Sequence, residues 1–129
     1  MVTPRVINVE RDTRWRQSAP LNVIAAIDVD GWKEVQINDT GAFYGKPPKG
    51  GPLRPIVQFD RDIVRATHLA RKASRLADAD VVVTLTPKGV FVEAFSRDDV
   101  EEELFYETAE RTDSLAHLLT KCAVKLIND

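Results

Sequence analysis

The pattern of apolar and polar positions predicts a β-hairpin in the first third of the chain. Residues 21–29 (LNVIAAIDV) are almost continuously apolar, and residues 32–37 (WKEVQI) place apolar side chains among polar ones. Asp30-Gly31 lies between the two runs. This dipeptide is favoured in a two-residue type I′ turn, because both central residues of that turn need a positive φ.

A second hairpin is predicted later in the chain. Residues 80–85 form a valine-rich strand, residues 90–95 form the returning strand, and the sequence TPKG at residues 86–89 lies between them. Proline at the second position and glycine at the fourth are typical of a β-turn. Short additional strands are expected at residues 5–10 and 56–59.

Helical periodicity is clearest between residues 61 and 77. Apolar residues recur there at about 100° per residue, which places them on one face of a helix. Asp60 precedes this segment, and its carboxylate is positioned to cap the first exposed amides. The predicted buried face is mostly alanine and consists of Ile63, Ala66, Leu69, Ala70, Ala73, Leu76 and Ala77.

The C-terminal part of the chain is predicted to be helical. Ser96 is a candidate N-cap, and acidic residues follow it in the first turns, where the helix dipole favours anions. A break at residues 112–114 is expected to begin a last helix. The predicted inward face of that helix consists of Leu115, Leu118, Leu119, Cys122, Ala123 and Leu126.

The order of these elements predicts an α+β fold. No repeated βαβ unit is present, so we expect a mainly antiparallel sheet of two hairpins plus one or two short strands. The central helix and the C-terminal helices would cover one face of this sheet. We expect a single domain over residues 1–129, with a Gly/Pro-rich loop at residues 39–55.

Composition narrows the class of protein. The 129 residues are 43% hydrophobic and 29% charged, as in an ordinary globular protein. No apolar run approaches the roughly 20 residues of a membrane-spanning helix, and the first residues lack the apolar core of a signal peptide. Cys122 is the only cysteine, which excludes an intramolecular disulfide and a cysteine zinc cage. These features favour a cytoplasmic location.

Charge is unevenly distributed although the net charge is only -2. No acidic residue occurs between Asp39 and Asp60, whereas residues 93–113 are strongly acidic. Segregated charge bears on partners rather than on fold.

Basic residues give the leading hypothesis for function. On the central helix, spacings of three and four residues align a row of basic side chains nearly opposite the alanine face, which would suit a phosphate backbone. The 39–55 loop adds further cations, and its Phe43 and Tyr44 are candidates to stack on bases. We therefore expect a non-enzymatic binding or regulatory module that is nucleic-acid-associated. The candidate contacts are Arg61, Arg65, Lys72 and Arg75 with His68 in the same row, and Lys46, Lys49 and Arg54 in the loop.

The acidic segment at residues 98–110 supports an alternative. A dense row of carboxylates flanked by aromatic anchors would bind a basic protein partner, as an inhibitor or adaptor does. The residues that would carry this role are Glu102, Glu103, Phe105, Tyr106 and Glu110.

A third hypothesis starts from residues 23–32 (VIAAIDVDGW), an apolar run that ends in Asp-x-Asp-Gly. This stretch resembles the first motif of the haloacid dehalogenase-like phosphatases. The resemblance implies that Asp28 is a nucleophile, that Asp30 is a general acid and that magnesium bridges substrate and carboxylates. An Asp-Gly hairpin accounts for the same residues without catalysis, and no family is recognised across the chain. Our expectation is accordingly a protein without enzymatic activity, cofactor or metal.

Overall fold

The computed structural model describes residues 5–6, 19–37, 40–99, 101–111 and 114–128. It divides into two compact units, residues 1–57 and residues 58–129, each with its own antiparallel sheet. The α+β class predicted from the sequence is confirmed.

The first predicted hairpin is wrong, because its first arm is helical. Helix α1 (Leu21–Ala25) continues into a π-helical turn (Ala26–Asp30), which ends at Gly31 with a φ of 85°. The amides of Gly31 and Trp32 both donate to the carbonyl of Ala26. A continuous apolar run does not distinguish a buried strand from a buried helix, and glycine after Asp is also a common way to end a helix.

The sheet of the first unit has four short strands in the order β1-β2-β3-β4. The segment predicted as a loop at residues 39–55 therefore contains two of them, and the register of β2 with β3 shifts between Lys33 and Gln36. Residues 7–10 of the first predicted strand lie outside the described residues. The strands are β1 (Arg5–Val6), β2 (Lys33–Ile37), β3 (Phe43–Lys46) and β4 (Arg54–Pro55).

The second unit begins with a 3-10 turn (Phe59–Arg61) where the sequence predicted a strand at residues 56–59. Helix α2 (Ile63–Ala77) follows and confirms the predicted central helix. Its cap is Asp62 rather than Asp60. One carboxylate oxygen of Asp62 accepts hydrogen bonds from the amides of Val64 and Arg65, at 3.1 and 3.2 Å.

The alanine-rich face of α2 is buried as predicted, except at its two ends. Ala66 and Ala73 are fully buried, whereas Ile63 is 45% and Leu76 is 63% exposed. The helix ends at Asp78, which adopts the left-handed conformation with a φ of 51°. The chain then turns directly into the sheet.

The second predicted hairpin is confirmed by β5 (Ala79–Thr86) and β6 (Gly89–Ser96). Their register is unbroken from Ala79 opposite Ser96 to Thr86 opposite Gly89. At Gly89, whose φ is 149°, an added Cβ would lie 2.2 Å from the carbonyl oxygen of Ala109. Only glycine fits at this position.

The helix predicted after Ser96 is wrong, because the chain forms a turn and then strand β7 (Glu103–Ala109), antiparallel to β6. The Ser96 hydroxyl does accept a bond from the Asp99 amide at 3.4 Å, and the Asp99 carboxylate accepts one from the Glu101 amide at 3.1 Å. The same side-chain chemistry that caps helices also closes turns.

Helix α3 (Leu115–Asn128) confirms the last predicted helix. It packs against α2, β6 and β7, while α2 packs against β5, so the two helices cover one face of the three-stranded sheet. None of the helices in the described part of the chain combines the length and apolar character needed to cross a membrane. The core of this unit includes Phe59, Ala66, Leu69, Ala73, Val90, Val92, Ala94, Leu118, Leu119, Cys122 and Ala123.

Candidate functional site

The outward side of α2 carries the predicted basic row. Arg65, His68 and Arg75 lie on the helix and are exposed, and Lys72 is partly buried. Arg61 belongs to the 3-10 turn that precedes the helix and is also exposed. Arg61, Arg65, His68 and Arg75 thus lie on the solvent side of this segment.

Four residues of this helix contribute to a concave site that we call the cationic groove. The groove has a volume of about 320 Å³ and is lined by His68, Arg71, Ser74, Arg75 and Arg97. His68, Arg71 and Arg75 follow one another at spacings of three and four residues, so they share one side of α2. That side lies opposite the buried alanines.

Arg97 joins the groove because of the register of the hairpin. It directly follows β6, one position beyond the pair formed by Ala79 and Ser96. Its amide donates to the carbonyl of Asp78, at 3.0 Å, which holds it beside the end of α2. The Ser74 hydroxyl donates to the carbonyl of Ala79, at 2.6 Å, and fastens the same helix end to β5. The groove is thus built on well-anchored backbone.

Electrostatics divides the cations of the groove into two kinds. The Arg97 side chain hydrogen-bonds Asp80 at 3.0 Å and lies 3.6 Å from a carboxylate oxygen of Asp78. The hydrogen bond to Asp80 raises the pKa of Arg97 above its usual value, and the nearby negative charges add to the effect. No ion pair involves Arg71 or Arg75 within the described part of the chain.

The basic residues that flank the cationic groove differ in whether they form ion pairs. Arg65 lies 3.7 Å from a carboxylate oxygen of Asp62, its own helix cap, with both side chains about half exposed. Exposed pairs of this kind contribute about 0–1 kcal/mol, so the Arg65 charge stays available to a ligand. The carboxylates of residues 93–111 that the structure describes form no ion pair with Arg61, Arg65 or Arg75.

The predicted cations of the 39–55 segment belong to the other unit. Lys46 pairs with Glu34 at 2.8 Å, whereas Lys49 and Arg54 are exposed. Phe43 and Tyr44 are neighbours on β3, so their side chains point to opposite faces of the sheet. They do not form the shared stacking surface that the sequence suggested.

The acidic segment is not the helical ridge that was expected. Glu102, Glu103 and Glu110 are exposed, but they lie on the turn, at the start of β7 and after its end. Phe105 is opposite Ala94 and Tyr106 is opposite Glu93, so the two aromatic anchors lie on opposite faces of the sheet. The Tyr106 ring instead meets that of Phe91, with centroids 6.0 Å apart.

The aspartates of the phosphatase-like motif lie in the π-helical turn and not at the end of a strand. Asp30 accepts a hydrogen bond from the indole nitrogen of Trp32, at 2.9 Å. Across the described residues, no three His, Cys, Asp or Glu side chains come together in a way that would hold a metal ion. The geometry thus lacks the strand on which the resemblance depends.

Sequence reasoning did not place Arg71 or Arg97 among the candidate contacts. The signal for Arg71 is its spacing from His68 and Arg75, which fits the outward side better than Lys72 does. The signal for Arg97 is the TPKG turn, because counting outward from that turn brings residue 97 opposite residue 78.

Comparisons with protein-family models, with curated proteins and with solved structures gave no match for this chain.

Proposed function

We propose that the second unit is a non-enzymatic binding module for nucleic acid and that the cationic groove contacts its phosphates. The observation that carries the proposal is the convergence of His68, Arg71, Arg75 and Arg97 on one concave site. Arginine suits this role because its planar guanidinium donates two parallel hydrogen bonds to phosphate oxygens.

The free charge of the groove comes mainly from α2. Asp78 and Asp80 offset much of the Arg97 charge, so Arg71 and Arg75 supply the net attraction for an anion. Arg97 is held in place by these carboxylates and acts as a fixed donor at the edge of the groove. Ser74 adds a hydroxyl oxygen to the lining.

The flanking cations extend the contact along the helix. Arg65 lies about three turns before Arg75 on α2, and each phosphate neutralised on such a track releases counterions. Because the whole chain has a net charge of -2, attraction must come from this local concentration of positive charge. Binding should therefore be moderate and strongly dependent on salt.

The test is fluorescence anisotropy with labelled single-stranded and duplex oligonucleotides over a series of salt concentrations. Arg75→Glu should weaken binding at least about tenfold at low salt and should reduce the steepness of the salt dependence by about one contact. Lys88→Glu is the matched control, because it makes the same charge change on the β5–β6 turn, at the far end of the hairpin from Arg97. It should change the affinity less than about twofold.

Arg65→Glu measures how far the contact extends along α2, and its effect should be smaller than that of Arg75→Glu. Circular dichroism of each variant checks that α2 is retained. The proposal would be abandoned if the unmodified protein bound neither oligonucleotide at low salt, or if Arg75→Glu and Lys88→Glu weakened binding equally.

A further inference from the structure

The two edge strands of the three-stranded sheet differ in charge and in how well they are protected against pairing with another strand. Strand β5 forms one edge among the described strands, and its residues 81–86 contain no charge. Val82 is 42%, Val83 is 41% and Leu85 is 67% exposed. A long, uncharged edge with exposed β-branched side chains is a template for pairing with another strand.

Strand β7 forms the other edge and is protected. Glu103 and Glu107 place charge along it, and Glu107 is held by Lys121 of α3 at 2.5 Å. The pairing of β7 with β6 also shifts register between Ala94 and Phe95. Charges and bulges are the usual devices that prevent edge-to-edge association, and they are concentrated on β7 rather than on β5.

The register of β5 with β6 shows which residues of β5 direct their backbone groups to the outer edge of the sheet. The two-residue turn makes Thr86 and Gly89 a hydrogen-bonded pair, and the bond from the Arg97 amide to Asp78 shows the same alternation at the other end. Even-numbered residues of β5 thus bond to β6, and the odd-numbered residues direct their amides and carbonyls outward. Ala79 already uses its carbonyl for Ser74. The remaining outward groups are those of Val81, Val83 and Leu85.

We propose that β5 pairs antiparallel with β5 of a second copy of this chain, about a two-fold axis at Val83. In this register Val83 faces its own symmetry mate, and Val81 faces Leu85 of the other copy. Each of these facing pairs consists of two outward-directed residues, which exchange two main-chain hydrogen bonds. A two-fold axis at Val82 would instead place Ala79 opposite Leu85 of the other copy, although the Ala79 carbonyl already accepts a hydrogen bond from Ser74.

Side-chain complementarity supports a second copy as the occupant. One face of the joined sheet places Val81, Val83 and Leu85 beside their apolar counterparts. On the other face, Val82 lies opposite Thr84 and Asp80 lies opposite Thr86, so no like charges meet. Asp80 is in addition held by Arg97. The result is a continuous six-stranded sheet in a closed, isologous dimer.

Sedimentation equilibrium of the full chain over a concentration series tests this pairing. The unmodified protein should dimerise, and Val83→Lys and Val83→Glu should each raise the dimer dissociation constant at least about tenfold, because each places two like charges opposite each other. An equal mixture of the two variants should regain the dimer, because the facing charges are then opposite. Recovery of this kind requires position 83 to face itself.

Val82→Lys is the control, since Val82 has the same exposure but faces Thr84 in the proposed register. It should raise the dissociation constant less than about threefold. Hydrogen exchange of the unmodified protein gives a second measurement that needs no variant. The amides of Val81, Val83 and Leu85 should exchange more slowly as protein concentration rises.

Three outcomes would overturn the pairing. In the first, the unmodified protein stays monomeric at all concentrations, so the β5 edge would pair with a different partner. In the second, the mixture of Val83→Lys and Val83→Glu fails to dimerise. In the third, Val82→Lys and Val83→Lys have equal effects. Exchange at these amides that is independent of concentration would also contradict it.

Discussion

Helices α2 and α3 pack against each other on the same face of one sheet, yet their buried faces are built differently. The face of α2 is mostly alanine, with Ala66 and Ala73 at 0% exposure, whereas α3 contributes Leu118 and Leu119 at 4%. Small side chains let one helix approach closely, and the larger side chains of the other fill the space between them. The difference teaches that the two helices tolerate opposite kinds of substitution.

The outer faces differ as well. Lys121 of α3 is bound to Glu107 and contributes to the fold of the unit. Arg71 and Arg75 of α2 line the cationic groove and form no ion pair in the described part of the chain. Lys121 thus connects α3 to the sheet, whereas Arg71 and Arg75 of α2 are exposed to solvent.

Truncation on α3 should have the largest effect on stability. Leu118→Ala should lower the free energy of unfolding by about 2–5 kcal/mol, because it removes a buried side chain and leaves a cavity. Leu76→Ala is the control: it makes the same change at a position of α2 that is 63% exposed, and it should cost much less. Urea denaturation followed by circular dichroism measures both. Equal losses would show that α3 does not fill the helix interface.

Enlargement of a buried side chain on α2 should have the second largest effect on stability. Ala73→Leu should cost about 1–3 kcal/mol, since Ala73 is completely buried and the added atoms must displace α3 or the sheet. Val64→Leu enlarges an exposed side chain of the same helix and should be nearly neutral. If Ala73→Leu left the urea midpoint unchanged, the close approach assigned to the alanine face would be wrong.

Removal of the α2 cap should have a smaller effect. Asp62→Ala should cost about 1 kcal/mol, because the amides of Val64 and Arg65 lose their acceptor. Asp62→Asn keeps an acceptor oxygen and should recover most of the loss. Thermal unfolding compares the two variants. Equal destabilisation by Ala and Asn would assign the effect to the charge beside Arg65 instead of the hydrogen bonds.

The smallest predicted effect is the contribution of the Cys122 thiol to the pH dependence of stability. It is absent at neutral pH and appears only in alkali. Burial raises the pKa of Cys122 on α3 to about 12. Below the ordinary pKa of a thiol, about 8.5, both folded and unfolded chains hold the proton, and the thiol adds no pH dependence. Above it the unfolded chain loses the proton first, so the folded state is destabilised by up to about 1.4 kcal/mol per pH unit until the folded pKa is reached.

Comparison of the unmodified protein with Cys122→Ala isolates this contribution, because all other titrating groups are shared. The difference in unfolding free energy should be constant from pH 7 to the thiol pKa and should then fall in the direction that favours the variant. A difference that stays constant to pH 11 would mean that the thiol is accessible to water in the folded state.

The elements that the sequence predicted correctly are those in which local signals agree. Residues 61–77 combine helical periodicity with good helix formers, and TPKG at residues 86–89 joins two β-branched runs. Residues 21–29 were mispredicted because seven of these nine residues are apolar, so the segment shows no clear period. The helix predicted after Ser96 was wrong for another reason. The side chains of Ser96 and Asp99 bond to backbone amides in this turn, and the same residue types do so at helix starts.

The same distinction applies to the cationic groove. Arg75 and His68 were found from the sequence because their spacing on one helix is local information. Arg97 was not, because its place beside Asp78 depends on the pairing of two strands and on the turn between them. Its acidic sequence neighbours pointed to a different surface.

The glycine at position 89 has a practical consequence for protein engineering. Hairpin tips are ordinarily convenient places for epitope tags, labels or new chain termini. Here the end of β7, at Ala109, lies against Gly89 where the turn joins β6, and it leaves no room there for a single methyl group. A tag is better placed between Lys49 and Gly51, where the glycines have open space around them.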